Sequence, residues 1–227
     1  VASANSSLSS PELNEFTING TGQVGLNTPQ VLTSGDLYLV IEADLHPVLL
    51  EPQIRIYQDT TLLSGAGEIN LSSGVNNGSK ALTLGDDVQT GKIFLGGLQV
   101  RHLEVGAGDF DIELNGSMHL ATNMTDPTEF KNTGDLTLHG QGSSFFGGVE
   151  ALNVANTFVA GCVATFGKDI NLNNVTMIDD APHANRFDTR WTQTSGTTAD
   201  GANISISNFT SDTSKSVEFD IGNGEAD

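Results

Sequence analysis

One short pattern constrains this chain more than any other feature: small-Gly-charged-apolar-x-apolar, repeated along the sequence while helical periodicity is nearly absent. It reads Ser34-Gly35-Asp36-Leu37-Tyr38-Leu39, Ala66-Gly67-Glu68-Ile69-Asn70-Leu71, Thr90-Gly91-Lys92-Ile93-Phe94-Leu95, Ala107-Gly108-Asp109-Phe110-Asp111-Ile112 and Thr133-Gly134-Asp135-Leu136-Thr137-Leu138. A looser copy is Gly167-Lys168-Asp169-Ile170-Asn171-Leu172. Each unit turns on a glycine, exposes a charge, and puts two apolar side chains on one face of a strand. Such a unit cannot bury its apolar face alone, so units must stack. The glycines are unevenly spaced, which coils with variable loops accommodate.

The expected fold is therefore all-β, an irregular β-solenoid of parallel β-helix type, with a β-sandwich or jelly roll as the alternative that the same number of short strands allows. The pattern is densest over residues 134–177, where Leu136, Leu138, Phe158, Phe166, Ile170 and Leu172 are expected to share one core. Residues 31–227 read as a single β-rich domain. Residues 1–30 read as an N-terminal extension, Ser-rich at first and then strand-like, whose Phe16, Ile18 and Val24 suit a strand exchanged with a neighbouring subunit.

Over residues 34–178 the Gly-Asp-Leu-x-Leu-type units resemble the passenger regions of filamentous-haemagglutinin and autotransporter surface proteins. That resemblance implies an extended, non-catalytic scaffold at the cell surface.

Charge narrows the partners. Nine Lys+Arg against 28 Asp+Glu give a formal net charge of -19, which repels nucleic acid and anionic lipid. No apolar run approaches the ~20 residues of a membrane span. Acidity leaves room for a bound cation, and Ca²⁺ at Asp109 and Asp111 is the candidate, because alternate residues of a strand share one outward face. No other cofactor is implied.

The single cysteine, Cys162, rules out an intrachain disulfide, and its small apolar neighbours mark it as a buried structural thiol. Asn-x-Ser/Thr sequons open at Asn5, Asn19, Asn70, Asn77, Asn115, Asn123, Asn174, Asn203 and Asn208. They are candidates for glycosylation in an extracellular setting, although Asn, Ser and Thr also crowd β-turns. Asn77, Asn115 and Asn123 are the ones expected in turns.

No nucleophile elbow, P-loop or dinucleotide fingerprint occurs. The remaining acid/base candidates are Asp86-Asp87, Asp109/Asp111 and Asp179-Asp180, which read equally as turn residues. His102, His119 and His139, spaced by about one coil, invite the idea of a stacked metal site. The functional expectation is a non-enzymatic extracellular structural protein that self-assembles through strand pairing into a filament, sheath or surface layer, or forms an adhesin segment. The alternative is a β-helix protein that binds or cleaves an extracellular polysaccharide.

Overall fold

A computed structural model describes residues 2–4, 8–9, 16–21, 24–26, 30–42, 54–72, 74–115, 118–120, 126–139, 143–178, 185–190, 201–211 and 216–221. Among these every strand-to-strand ladder is parallel, and no helix occurs. Parallel ladders throughout exclude the sandwich and jelly-roll alternative, which are antiparallel.

The chain winds around three faces in fixed rotation. The first face is a nine-stranded sheet running from Phe16–Thr21 through Leu37–Glu42, Ile69–Leu71, Ile93–Leu95, Ile112–Asn115, Leu136–His139, Thr157–Val159 and Val175–Met177 to Phe209–Ser211. The second is a ten-strand path from Ala2–Ala4 and Val24–Leu26 to Asn185–Asp188 and Val217–Asp220. The third starts at Leu8–Ser9, Gln30–Leu32 and Thr60–Leu63. It passes through the ends of two long strands, Val75–Leu84 and Leu98–Val105, which bend from the second face onto it. A bridge from Val105 to Phe130 carries it on to Thr128–Glu129, Val149–Ala151, Ile170–Leu172 and Ile204–Ile206.

Alternation along each short strand sends one set of side chains into the tube, where they stack on their equivalents in the next coil. The column Leu37, Ile69, Ile93, Ile112, Leu136 is in register and fully buried. A second column, Leu71, Leu95, Leu114 and Leu138, runs beside it. Phe110, Phe130, Phe145 and Phe187 are the bulkiest of the fully buried side chains. Phe130 and Phe145 meet edge to face at 6.1 Å, the arrangement the ring quadrupoles prefer.

The repeat glycines serve this stacking in a way the sequence did not disclose. A Cβ on Gly67 would collide with the backbone of Gly35, and one on Gly91 with the backbone of Gly67. These glycines form a column in which successive coils approach too closely for any side chain.

Several sequence expectations are corrected here. In the fourth repeat unit the core column passes through Ile112, not Phe110, so the glycine alignment at Gly108 is offset by two residues and the true coil spacing is more even. The looser unit at Gly167 belongs to the third face, not the first. Phe166 is 42% exposed and Phe158 points outward, half-buried, because the inward positions beside them are taken by Thr157, Val159 and Thr165. Leu136, Leu138, Ile170 and Leu172 do share the core.

The N-terminal stretch pairs within its own chain. Phe16–Thr21 lies along Leu37–Glu42, and Val24–Leu26 lies between Ala2–Ala4 and Ile54–Ile56. The strands of Phe16, Ile18 and Val24 therefore already have partners, and no sheet boundary falls at residue 30.

Candidate functional site

The charged position of the repeat sits where one coil hands over to the next. Asp36 accepts the backbone N–H of Glu68 at 2.9 Å, Asp111 accepts that of Asp135 at 2.8 Å, and Asp169 accepts that of Asn203 at 2.9 Å. Asp59 does the same for Ala81 at 2.8 Å. Each carboxylate thus satisfies a corner amide that the ladders leave over, and a charged acceptor makes such a bond stronger than a neutral one. Asp135 instead accepts the Asn156 amide at 2.8 Å.

Asp109 and Asp111 must be read in that light. They flank buried Phe110 in the corner ahead of the strand Ile112–Asn115, not on a strand. Asp111 is committed to the Asp135 amide, while Asp109 accepts the Thr133 hydroxyl at 3.3 Å. Among the described residues no three His, Cys, Asp or Glu side chains gather as a metal site. Asp86 accepts the N–H of Val88 at 3.1 Å, an Asx turn, and Asp179 and Asp180 lie outside the described residues. The three spaced histidines fall on three different faces: His102 on the third, His119 on the second and His139 on the first. They are not stacked.

Two clusters gather more charge. On the outer surface of the third face, His102, Glu104, Asp126, Pro127, Glu129 and Lys131 line a cleft of about 290 Å³. Lys131 stands 3.7 Å from Glu104 and 3.6 Å from Glu129, so it balances both carboxylates. On the second face Arg186 contacts Asp220 at 2.7 Å and Asp188 at 2.9 Å, with Glu218 at 3.9 Å. Burial lowers the tendency of Arg186 to hold its proton, but Asp188, Glu218 and Asp220 outweigh that and raise it. Arg190 reaches Asp220 at 3.7 Å, and its N–H donates to Asp188 at 2.8 Å. This network straps the last coil onto the one before it.

No family model matches this chain, and no curated protein or solved structure matches it. Its function has to be argued from its own geometry.

Cys162 lies in register with Arg186 on the second face and is partly buried. The sequence expects a buried thiol among small apolar residues; Cys162 is only partly buried and has charged neighbours, because register sets it beside Arg186. Burial, reinforced by Asp188 and opposed by Arg186, still pushes its thiol up to about 11. The Glu113 carboxyl is shifted as well. Burial raises it, yet hydrogen bonds from Lys92 and Asn115 and the charges of Lys92 and His139 prevail and hold it below the usual carboxylate range. Lys92 Nζ is 2.7 Å from Glu113 and 4.4 Å over the Phe94 ring.

The sequons divide by what their asparagines do. Asn77 lies in the strand Val75–Leu84 and Asn115 ends the strand Ile112–Asn115, so neither sits in a turn. Asn5 and Asn123 are outside the described residues. Asn19 and Asn70 are strand positions, and Asn70 also accepts the Ser72 N–H at 3.1 Å. Asn174, with φ of 44°, donates to Ala155 at 2.7 Å and accepts from Asn208 at 2.8 Å, while Thr176 and Thr210 share a hydroxyl bond of 2.8 Å. Two sequons thus stack as a corner ladder. Asn115 and Asn203 are exposed on the surface. The backbone register that stacks these motifs is a long-range property, and the equal Asn-x-Thr spacing was its only trace in the sequence.

Proposed function

We propose that this chain is a non-enzymatic extracellular structural protein, a β-solenoid subunit that self-assembles into a filament, sheath or surface layer, or forms a segment of an adhesin. The observation that carries this reading is the use made of the repeat's carboxylates. Asp36, Asp111 and Asp169 each cap a backbone amide of the neighbouring coil, as Asp59 does outside the repeat, so these acidic positions serve the stacking. Paired carboxylates for hydrolysis need to converge across a substrate, and these are distributed one per corner. A formal charge of -19 suits a surface exposed to salt, and the sequon asparagines Asn115 and Asn203 are exposed. Fractionation of native material tests the reading: the chain is expected in a polymeric, surface-associated fraction with glycan heterogeneity by intact mass. Recovery as a cytosolic, unmodified monomer would overturn it.

A polysaccharide ligand is the second reading, favoured by the cleft between His102 and Lys131. Turnover of an acidic or neutral polysaccharide that is lost in Glu104→Gln or Glu129→Gln would replace the structural reading with this one.

A further inference from the structure

Corner carboxylates in this stack are for the most part engaged. Asp36, Asp59, Asp111 and Asp169 each accept a backbone amide of a neighbouring coil, and Asp86 accepts the N–H of Val88. Asp126 differs. It is exposed at the bend ahead of the strand Thr128–Glu129, and none of the described residues holds its carboxylate by a hydrogen bond or an ion pair. Pro127 follows it, and no other proline of the chain comes after an aspartate.

That dipeptide has a chemistry of its own. An Asp carboxylate oxygen reaches its own carbonyl carbon through a five-membered ring, an intramolecular attack with the high effective molarity of a well-placed nucleophile. Departure of the nitrogen is the hard step at an ordinary peptide bond. The prolyl nitrogen belongs to a tertiary amide and leaves as a secondary amine once it is protonated. Asp126 and Pro127 line the same cleft as His102, Glu104, Glu129 and Lys131. Lys131, at 3.7 Å from Glu104 and 3.6 Å from Glu129, fixes an ammonium there. His102 lies beside Ala81 across the strands and next to the Asp59–Arg101 pair along its own. An imidazole takes up a proton in mild acid and returns it to a leaving nitrogen.

We infer that the folded chain cuts itself at the Asp126–Pro127 bond in mildly acid solution, with His102 as the proton donor. A bond forms between the Asp126 carboxylate oxygen and the Asp126 carbonyl carbon, giving a cyclic anhydride. The carbon–nitrogen bond to Pro127 breaks, and the imidazolium proton goes to the nitrogen. One water then opens the anhydride, so Asp126 becomes a C-terminus, Pro127 an N-terminus, and His102 recovers its proton. Nothing is oxidised or reduced.

The cut leaves the stack standing. Parallel ladders cross it between Ile112–Asn115 and Leu136–His139 and between Met118–Leu120 and Ser143–Phe145, and the Val105–Phe130 bridge crosses it too. Asn132 also donates to Phe110 at 2.9 Å, and the Asp135 N–H to Asp111 at 2.8 Å. The product is a two-chain solenoid.

Denaturing mass spectrometry of the 227-residue chain after incubation tests this, with the same chain unfolded in urea as the reference. At about pH 5, between ordinary carboxyl and imidazole titration, fragments 1–126 and 127–227 are expected. They should form at least about tenfold faster from the folded chain than from the unfolded one. Their masses should add up to the intact mass plus one water, and native mass spectrometry should show them still together. Asp126→Ala should abolish the cut. His102→Gln should bring the folded rate down to the unfolded rate and remove its dependence on pH above about 5. Equal rates in the folded and unfolded chain mean ordinary acid lability only and overturn the inference. An intact chain at about pH 5, or cutting that persists in Asp126→Ala or is unchanged in His102→Gln, overturns it as well.

Discussion

Replacing Gly91 by alanine should cost several times more than replacing Gly65, although both glycines sit at the same corner region. A Cβ on Gly91 would lie closer than 3.0 Å to the carbonyl oxygen and carbon of Gly67 and to the carbonyl oxygen of Ala66, all backbone atoms of the coil beside it. The coils must part to admit it. Two inter-coil bonds bracket the site, Thr90 N–H to Gly65 at 2.8 Å and Ile69 N–H to Lys92 at 3.0 Å. Weakening both costs about 1–3 kcal/mol, and the overpacking itself about as much again, giving about 2–6 kcal/mol in total. Gly65 has φ of 59° and nothing within 4 Å of a Cβ, so Gly65→Ala pays only the left-handed backbone penalty of about 1–2 kcal/mol. Urea titration followed by far-UV circular dichroism measures both. Equal destabilisation of the two variants would refute close coil approach as the reason for the repeat glycine.

Other perturbations probe the core and the charges. Leu136→Ala, at a fully buried position, should cost about 2–5 kcal/mol, whereas Phe166→Ala at a 42% exposed site should cost about 1 kcal/mol or less by the same urea titration. The thiol of Cys162, raised to about 11, should react with a disulfide reagent in the folded protein with a pH break near that value. Because its folded value exceeds the unfolded one, its contribution to stability is intact at neutral pH and declines as pH climbs from about 9 toward 11, and Cys162→Ala should remove that slope. Lys92→Met should move the Glu113 titration upward in a carboxyl NMR experiment. Glu113 is lowered in the folded state, so the stability it confers is present at neutral pH and fades as pH falls through its folded value. Arg186→Gln, which leaves nearly buried Asp188 without its closest guanidinium partner, should cost about 1–3 kcal/mol and loosen residues 201–221 first in hydrogen exchange.

The sequence by itself determined the all-β class, since short strands with two apolar residues on one face, such as Ile69-Asn70-Leu71 and Ile93-Phe94-Leu95, recur between glycine corners; stacked coils and a packed sandwich both bury such faces, and the parallel ladders decided between them. It did not place Cys162, whose small apolar neighbours in sequence gave no sign of Arg186 alongside it. What it did not contain was register. Whether Phe110 or Ile112 occupies the core column, whether Phe166 points in or out, and whether Asp111 faces a cation or the Asp135 amide all depend on which residue of a coil 18 to 34 residues away lies alongside. A one-residue slip turns every side chain to the other side of a strand, and only the stacked backbone decides between the two.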